Sequence, residues 1–205
     1  LKRKAKFRQT MTDLRTTLTN RLETEFDKEM RGLLKEQIRH IDKMIRKIEK
    51  SSMETVGNNP SMRNKVERFT KVGGVGEVTA ISILTGLPEI GRLSDSKLNR
   101  LAGIAPEEKS SGTKEWQRRI WGGRKDVRNA LYMATTAGLQ WNSILNDYYR
   151  KKRAQGHPHK WAMIPTMRKL LSLLNRIARD PNFSPIPEPE STKDNARAGR
   201  KKKTA

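Results

Sequence analysis

The chain has 205 residues, with 44 Lys and Arg against 22 Asp and Glu, a net charge of +22, three His and no Cys. That length suits one globular domain with appendages or two small ones; the lack of Cys excludes disulfides and thiolate metal sites, and three His make a zinc site improbable. No apolar run approaches the ~20 residues of a membrane span and no signal peptide opens the sequence, so the charge predicts a polyanionic partner, nucleic acid ahead of a membrane surface, for a cytoplasmic protein.

Residues 1–50 read as a helical arm. Met11, Leu14, Leu18, Leu22, Phe26, Met30, Leu34, Ile38, Ile41, Ile45 and Ile48 recur three or four apart. The later part keeps the alternating steps of a coiled-coil seam, whereas the earlier part steps by four and drifts around the helix. A break near Thr24 to Gly32 would give a hairpin of two helices; one long helix is the other solution. With other positions polar, the arm needs a helical partner, and a homo-oligomer joined through it is expected. The chain starts at Leu1 inside this pattern, as a piece of a longer protein would.

Ser51 to Pro60 reads as a loop, so residues 51–61 are taken as a linker between the arm and a compact helical domain, 62–180. Met62 to Phe69 is helical, and "KVGGVGEVTAISILTG" follows. Gly74 and Gly76 flank one aliphatic residue between helical patterns, which allows a tight turn with exposed amides at a helix N-terminus, a grip for phosphate that Lys71 would reinforce. This is a helix-hairpin-helix-like arrangement, although an ordinary turn between packed helices has the same composition. The glycine spacing fits neither a P-loop nor a dinucleotide fingerprint.

Lys109 to Arg128 is strongly basic and includes Lys114, Arg118, Arg119, Arg124 and Arg128, interleaved with Trp116 and Trp121; Gly122 and Gly123 follow the second indole. Guanidinium groups grip phosphate oxygens in pairs, and indoles stack on exposed bases. Ser111 precedes a glycine here, and taken alone such a serine is a turn residue, since a hydroxyl needs a base, a metal or dense positive charge to become a nucleophile. Asp126 to Gln140 and Met163 to Ile177 read as helices. From Tyr148 to Arg179 no acidic residue occurs, and Arg168 and Lys169 extend the basic surface. Residues 181–205, with their prolines and charge, read as a disordered basic tail. The fold class is mainly α, with strand patterns nearly absent.

Taken in order, "GGVGEVTAISILTGLPEIGRLSDSKLNRLAGIAPEEKSSGT", "RRIWGGRKDVRNALYMATTAG" and "MRKLLSLLNRIAR" resemble the C-terminal half of insertion-sequence-110 family transposases, the Piv-like DEDD enzymes, from about Phe69 to Arg179. The arm resembles the linker before that half. The resemblance implies a RuvC-like N-terminal domain whose four acidic residues bind Mg²⁺, and a C-terminal domain whose serine attacks a DNA phosphodiester and forms a phosphoserine link. It implies oligomeric assembly on DNA, directed by a structured bridge RNA in the nucleoid. Ser111 matches the family serine; Gly122, Gly123, Arg124 and Arg128 match its Gly-Gly-Arg and following arginine. The family's Pro-Gly-Val-Gly is Gly73-Gly74-Val75-Gly76 here, its His-Asn-Pro is Trp141-Asn142-Ser143, and its "GKP.KVA" is replaced by "GHPHKWA". The RuvC-like half is absent, so no cofactor is expected on this chain and recombination by it alone is not. Two other functions fit the composition: a non-catalytic helix-hairpin-helix module for nucleic acid, and a structural dimerisation arm with a basic surface.

Overall fold

The computed structural model describes residues 1–107, 110–111, 114–115, 119–120 and 122–184. The expected tail therefore lies outside the described residues from position 185 onward.

The arm is a hairpin of α1 (Lys2–Thr24) and α2 (Lys28–Gly57). The break falls at residues 25–27, where the drifting stripe of α1 must be turned back on the straight seam of α2. Asp27 caps α2 by accepting the Met30 amide at 2.8 Å, and Arg31 closes the turn through the Leu22 and Glu25 carbonyls at 2.9 and 2.6 Å. Arg8–Glu49 and Arg15–Asp42 ion pairs tie the two helices along their length. Gly32, within the region where the break was expected, is instead an ordinary residue of α2.

The loop expected over Ser51–Pro60 is mostly helix, because α2 continues to Gly57. Ser and Gly are weak helix formers, yet packing overrides that preference. The Lys4 ammonium donates to the Ser51 carbonyl, the Ser51 hydroxyl and the Thr55 hydroxyl at 2.7–2.9 Å, Ser52 is buried, and Val56 enters the main core. Only Asn58 and Asn59 separate α2 from α3 (Pro60–Thr70); the Asn59 side chain accepts the Met62 amide at 3.0 Å and Pro60 opens the helix.

The remaining helices are α4 (Glu77–Gly86), α5 (Asp95–Leu101), α6 (Lys125–Trp141), α7 (Ser143–Ala154) and α8 (His159–Arg179). Their apolar faces meet that of α3 in one core containing Phe69, Ile83, Leu98, Leu131, Leu145, Leu170 and Leu174, with Leu87 joining from just past α4. Between α5 and α6 lie four two-residue strands in two nested antiparallel pairs: β1 (Pro106–Glu107) with β4 (Arg119–Ile120), and β2 (Ser110–Ser111) with β3 (Lys114–Glu115). The composition carried no strand pattern here; pairs this short are set by their surroundings rather than by alternation of side chains.

The segment from Leu87 to Ser94 is pinned to α8 through the Asn175 amide, and Arg179 also donates to the Leu93 carbonyl at 2.9 Å. Asn175, 1% exposed, accepts the Gly91 amide at 2.7 Å and donates to Asp95 at 2.6 Å and the Leu93 carbonyl at 3.1 Å. Asn175→Ala is expected to lower the unfolding free energy by about 2 kcal/mol, since the part-buried Gly91 amide loses its acceptor and the Asp95 carboxylate loses one of its donors. Urea denaturation checks it.

Candidate nucleic-acid interface

The basic excursion that carries Ser111 runs between α5 and α6, and Ile104, just after α5, is still fully buried in the core. Glycines with left-handed backbone stand at both ends of the excursion: Gly103 at φ +68° on the α5 side, Gly122 and Gly123 at +63° and +66° on the α6 side. A Cβ on Gly123 would stand 2.3 Å from the Gly103 nitrogen, and one on Gly103 would stand 2.3 Å from the Gly122 carbonyl oxygen. The two chain segments therefore touch backbone to backbone, and the Arg124 amide donates to the Leu101 carbonyl at 2.8 Å across the same junction.

Two arginines brace this root. Arg124 grips Glu89 in bidentate fashion at 2.6 and 2.7 Å and also donates to the Gly86 carbonyl at 2.8 Å. Arg128 donates to the Gly122 carbonyl at 2.7 Å. The hydrogen bonds from Arg124 hold the Glu89 carboxyl well below its usual range, at about 2 against 4.5, against the opposing effect of burial. Because the folded value lies below the unfolded one, the stabilisation is complete above pH 4.5 and fades as pH falls toward 2. Both side chains are about one-third exposed, so solvent screening limits the pair to about 1 kcal/mol. The unfolding free energy should fall over that window, and Glu89→Gln should remove this contribution. Urea titrations at several pH values test this.

Of the residues singled out in the sequence, Ser111 and Lys114 are direct cross-strand partners, and Arg119 stands opposite Glu107. Arg118, Trp116 and Trp121 lie outside the described residues. Arg124 and Arg128, read from sequence as phosphate contacts, have their guanidinium groups engaged with Glu89 and with backbone carbonyls. Glu89, Gly86 and Gly103 complete the root without having been singled out. A lone glutamate thirty-five residues from its arginine leaves no periodic signal.

The glycine turn between α3 and α4 sits elsewhere on the domain. Gly74, at φ +96°, packs against α6, where a Cβ would stand 2.4 Å from the Gly138 nitrogen; a Cβ on Gly73 would stand as close to the Trp141 carbonyl oxygen. Gly76 begins α4 facing open space, and Lys71 is exposed. The structure thus divides the pair: Gly74 is needed for helix packing, and Gly76 leaves the helix N-terminus accessible. Arg168 is half-buried and Lys169 exposed on α8.

Among the described residues no three His, Asp or Glu side chains come together as a metal would require. The Mg²⁺ that the resemblance places in a RuvC-like half has no ligand set among these residues, and no chemical step is routed through it. No described helix is long and apolar enough to cross a membrane.

Residues 66–150 match the family model described as Transposase IS116/IS110/IS902 family. The matched segment includes α4, the root of the excursion, the excursion itself and α6. The chain is 30% identical over 122 residues to the insertion element IS110 uncharacterized 43.6 kDa protein of Streptomyces coelicolor, covering 56% of this chain and 29% of that protein. It is 26% identical over 163 residues to the insertion element IS116 uncharacterized 44.8 kDa protein of Streptomyces clavuligerus, covering 75% of this chain and 38% of the relative. The chain thus spans about a third of the length of these curated relatives.

Proposed function

We propose that the chain, whose residues 66–150 match the model of the IS116/IS110/IS902 transposase family, is the DNA-recombining part of such a transposase, with Ser111 as the nucleophile. The observation that carries this reading is the braced root at Gly103, Gly122 and Gly123, inside the matched segment, which presents the Ser111–Lys114 pair on a short excursion from the core. Oγ of Ser111 would attack phosphorus and lose its proton while one deoxyribose oxygen departs as the leaving group, giving a phosphoserine. Positive charge favours that step by stabilising the pentavalent state, and Lys114, Arg118 and Arg119 supply it in the chain. Arg124 and Arg128 serve the same step indirectly, by holding the root.

In this reading a RuvC-like half provides Mg²⁺ chemistry, bridge RNA directs target and donor choice, and copies assemble through the arm on DNA in the bacterial nucleoid. The arm's tip supports assembly: Phe26 is 94% exposed, and Met30 and Leu33 follow on the same face of α2. Gly76 and Lys71 would add a sequence-independent phosphate contact, with Arg168 and Lys169 extending the basic surface.

The test supplies the RuvC-like half in trans with Mg²⁺, cognate labelled DNA and guide RNA, and looks on denaturing gels for a protease-sensitive adduct. An adduct carried by this chain supports the reading. Tight, salt-sensitive DNA binding with no adduct would favour the second reading, a non-catalytic module gripping phosphate through the α3–α4 turn. Affinity that hardly changes from low to moderate salt would contradict both.

A further inference from the structure

The corner where α7 meets α8 lies outside the excursion, and no role has been assigned to it above. It holds Arg150, Lys151, Lys152 and Arg153 at the end of α7 and Lys160 at the start of α8, with no acidic residue between Tyr148 and Arg179. The corner is stitched together from within. The Tyr149 hydroxyl meets His159 Nδ1 at 2.8 Å with the rings edge to face, Arg153 donates to the His157 carbonyl at 2.8 Å, and Lys152 donates to Gln155 at 3.1 Å. On this cationic surface stands Trp161, 48% exposed in the first turn of α8. One helical turn and two turns further along α8, Pro165 and then Arg168 and Lys169 continue the same side of the helix.

Charge alone would describe a surface for phosphates. The indole adds a flat apolar face that phosphate does not use, and an exposed tryptophan among cations is what an unpaired base needs for stacking. A second copy of this chain is a poor occupant of the corner, because the same cationic residues would face one another there. We propose that the α7–α8 corner is a second nucleic-acid contact, selective for an unpaired strand. Trp161 stacks on a base, and Arg150 and Lys160 hold the flanking phosphates. From Trp161 to Lys169 the rise along α8 is about 12 Å, room for two or three nucleotides.

The test is fluorescence anisotropy with the intact chain on three labelled probes: a twenty-residue oligo-dT, the matching oligo-rU, and a twenty-base-pair duplex. Trp161→Ala is expected to weaken binding of the unpaired strands about five- to hundred-fold, to change duplex affinity less than about twofold, and to leave the melting temperature in place because the ring is exposed. Trp161→Phe should retain most of the affinity. Arg150→Gln with Lys160→Gln should reduce the salt slope by about two. Loss on both oligo-dT and oligo-rU supports a shared unpaired-strand site, and loss on one alone names that strand as its source. Unpaired-strand affinity within twofold of the parent in Trp161→Ala, equal losses on duplex and single strand, or an unchanged salt slope would each overturn the proposal. So would a defect confined to phosphatidylserine vesicles, which would make the corner a membrane contact. The measurement needs no strand cleavage, so its failure leaves the serine reading standing, and the reverse holds too.

Discussion

Ser111→Ala should abolish the covalent protein–DNA adduct in the reconstituted reaction, a loss of at least about a thousand-fold in rate, because removing a nucleophile leaves only binding and charge stabilisation. Ser110→Ala should form the adduct at a rate close to the parent's. The contrast between neighbours is the informative part: both serines belong to β2, but Ser111 is the one paired with Lys114 and next to the tip of the inner strand pair. A change that merely disturbed the excursion would affect both variants. The readout is adduct formed per unit time on labelled DNA, with a thermal melt to establish that each variant folds. An undiminished adduct in Ser111→Ala would remove the assignment.

The second large effect concerns two adjacent glycines that share a left-handed backbone and differ in their surroundings. Gly123→Ala would put a methyl group 2.3 Å from the Gly103 nitrogen and 2.4 Å from its Cα, and neither backbone atom can move without opening the root. Steric overlap added to the conformational cost should destabilise the domain by at least about 3 kcal/mol. Gly122→Ala meets nothing within 4 Å, so only the conformational term remains, about 1–2 kcal/mol. The α3–α4 turn offers a parallel pair, with Gly74→Ala severe against the backbone of α6 and Gly76→Ala mild in open space. Chemical denaturation of all four variants tests the series. Equal costs at positions 122 and 123 would mean that the contact at Gly103 is not what holds the excursion.

The helices were the legible part of the fold, because their apolar residues recur with a period that packing then uses. The hairpin in the arm could be anticipated from the change of step between α1 and α2, although its position at residues 25–27 depended on Asp27 and Arg31, whose bonds to backbone carry no periodic mark. Ser51 to Gly57 was misread as a loop since its composition is that of a turn, and contacts distant in sequence, such as Lys4 forty-seven residues away, show why it stays helical. At the candidate site, the order of residues around Ser111 was readable through its resemblance to a family. The division of labour among the arginines was not. A guanidinium bound to Glu89 and one bound to phosphate look alike in a sequence, and partner choice is decided by where the Leu87–Ser94 segment is pinned through Asn175.

The contact between Gly103 and Gly123 also makes the stretch between them separable from what it stands on. Because its two ends already touch, the helices beneath experience the same junction whatever the chain does in between, and doubling the length of a flexible closed segment costs only about 0.6 kcal/mol. The domain therefore resembles a socket with an exchangeable insert. Beyond Ile104, which stays in the core, relatives could lengthen, shorten or recompose the insert, and so change what it touches, while the junction beneath it keeps its packing.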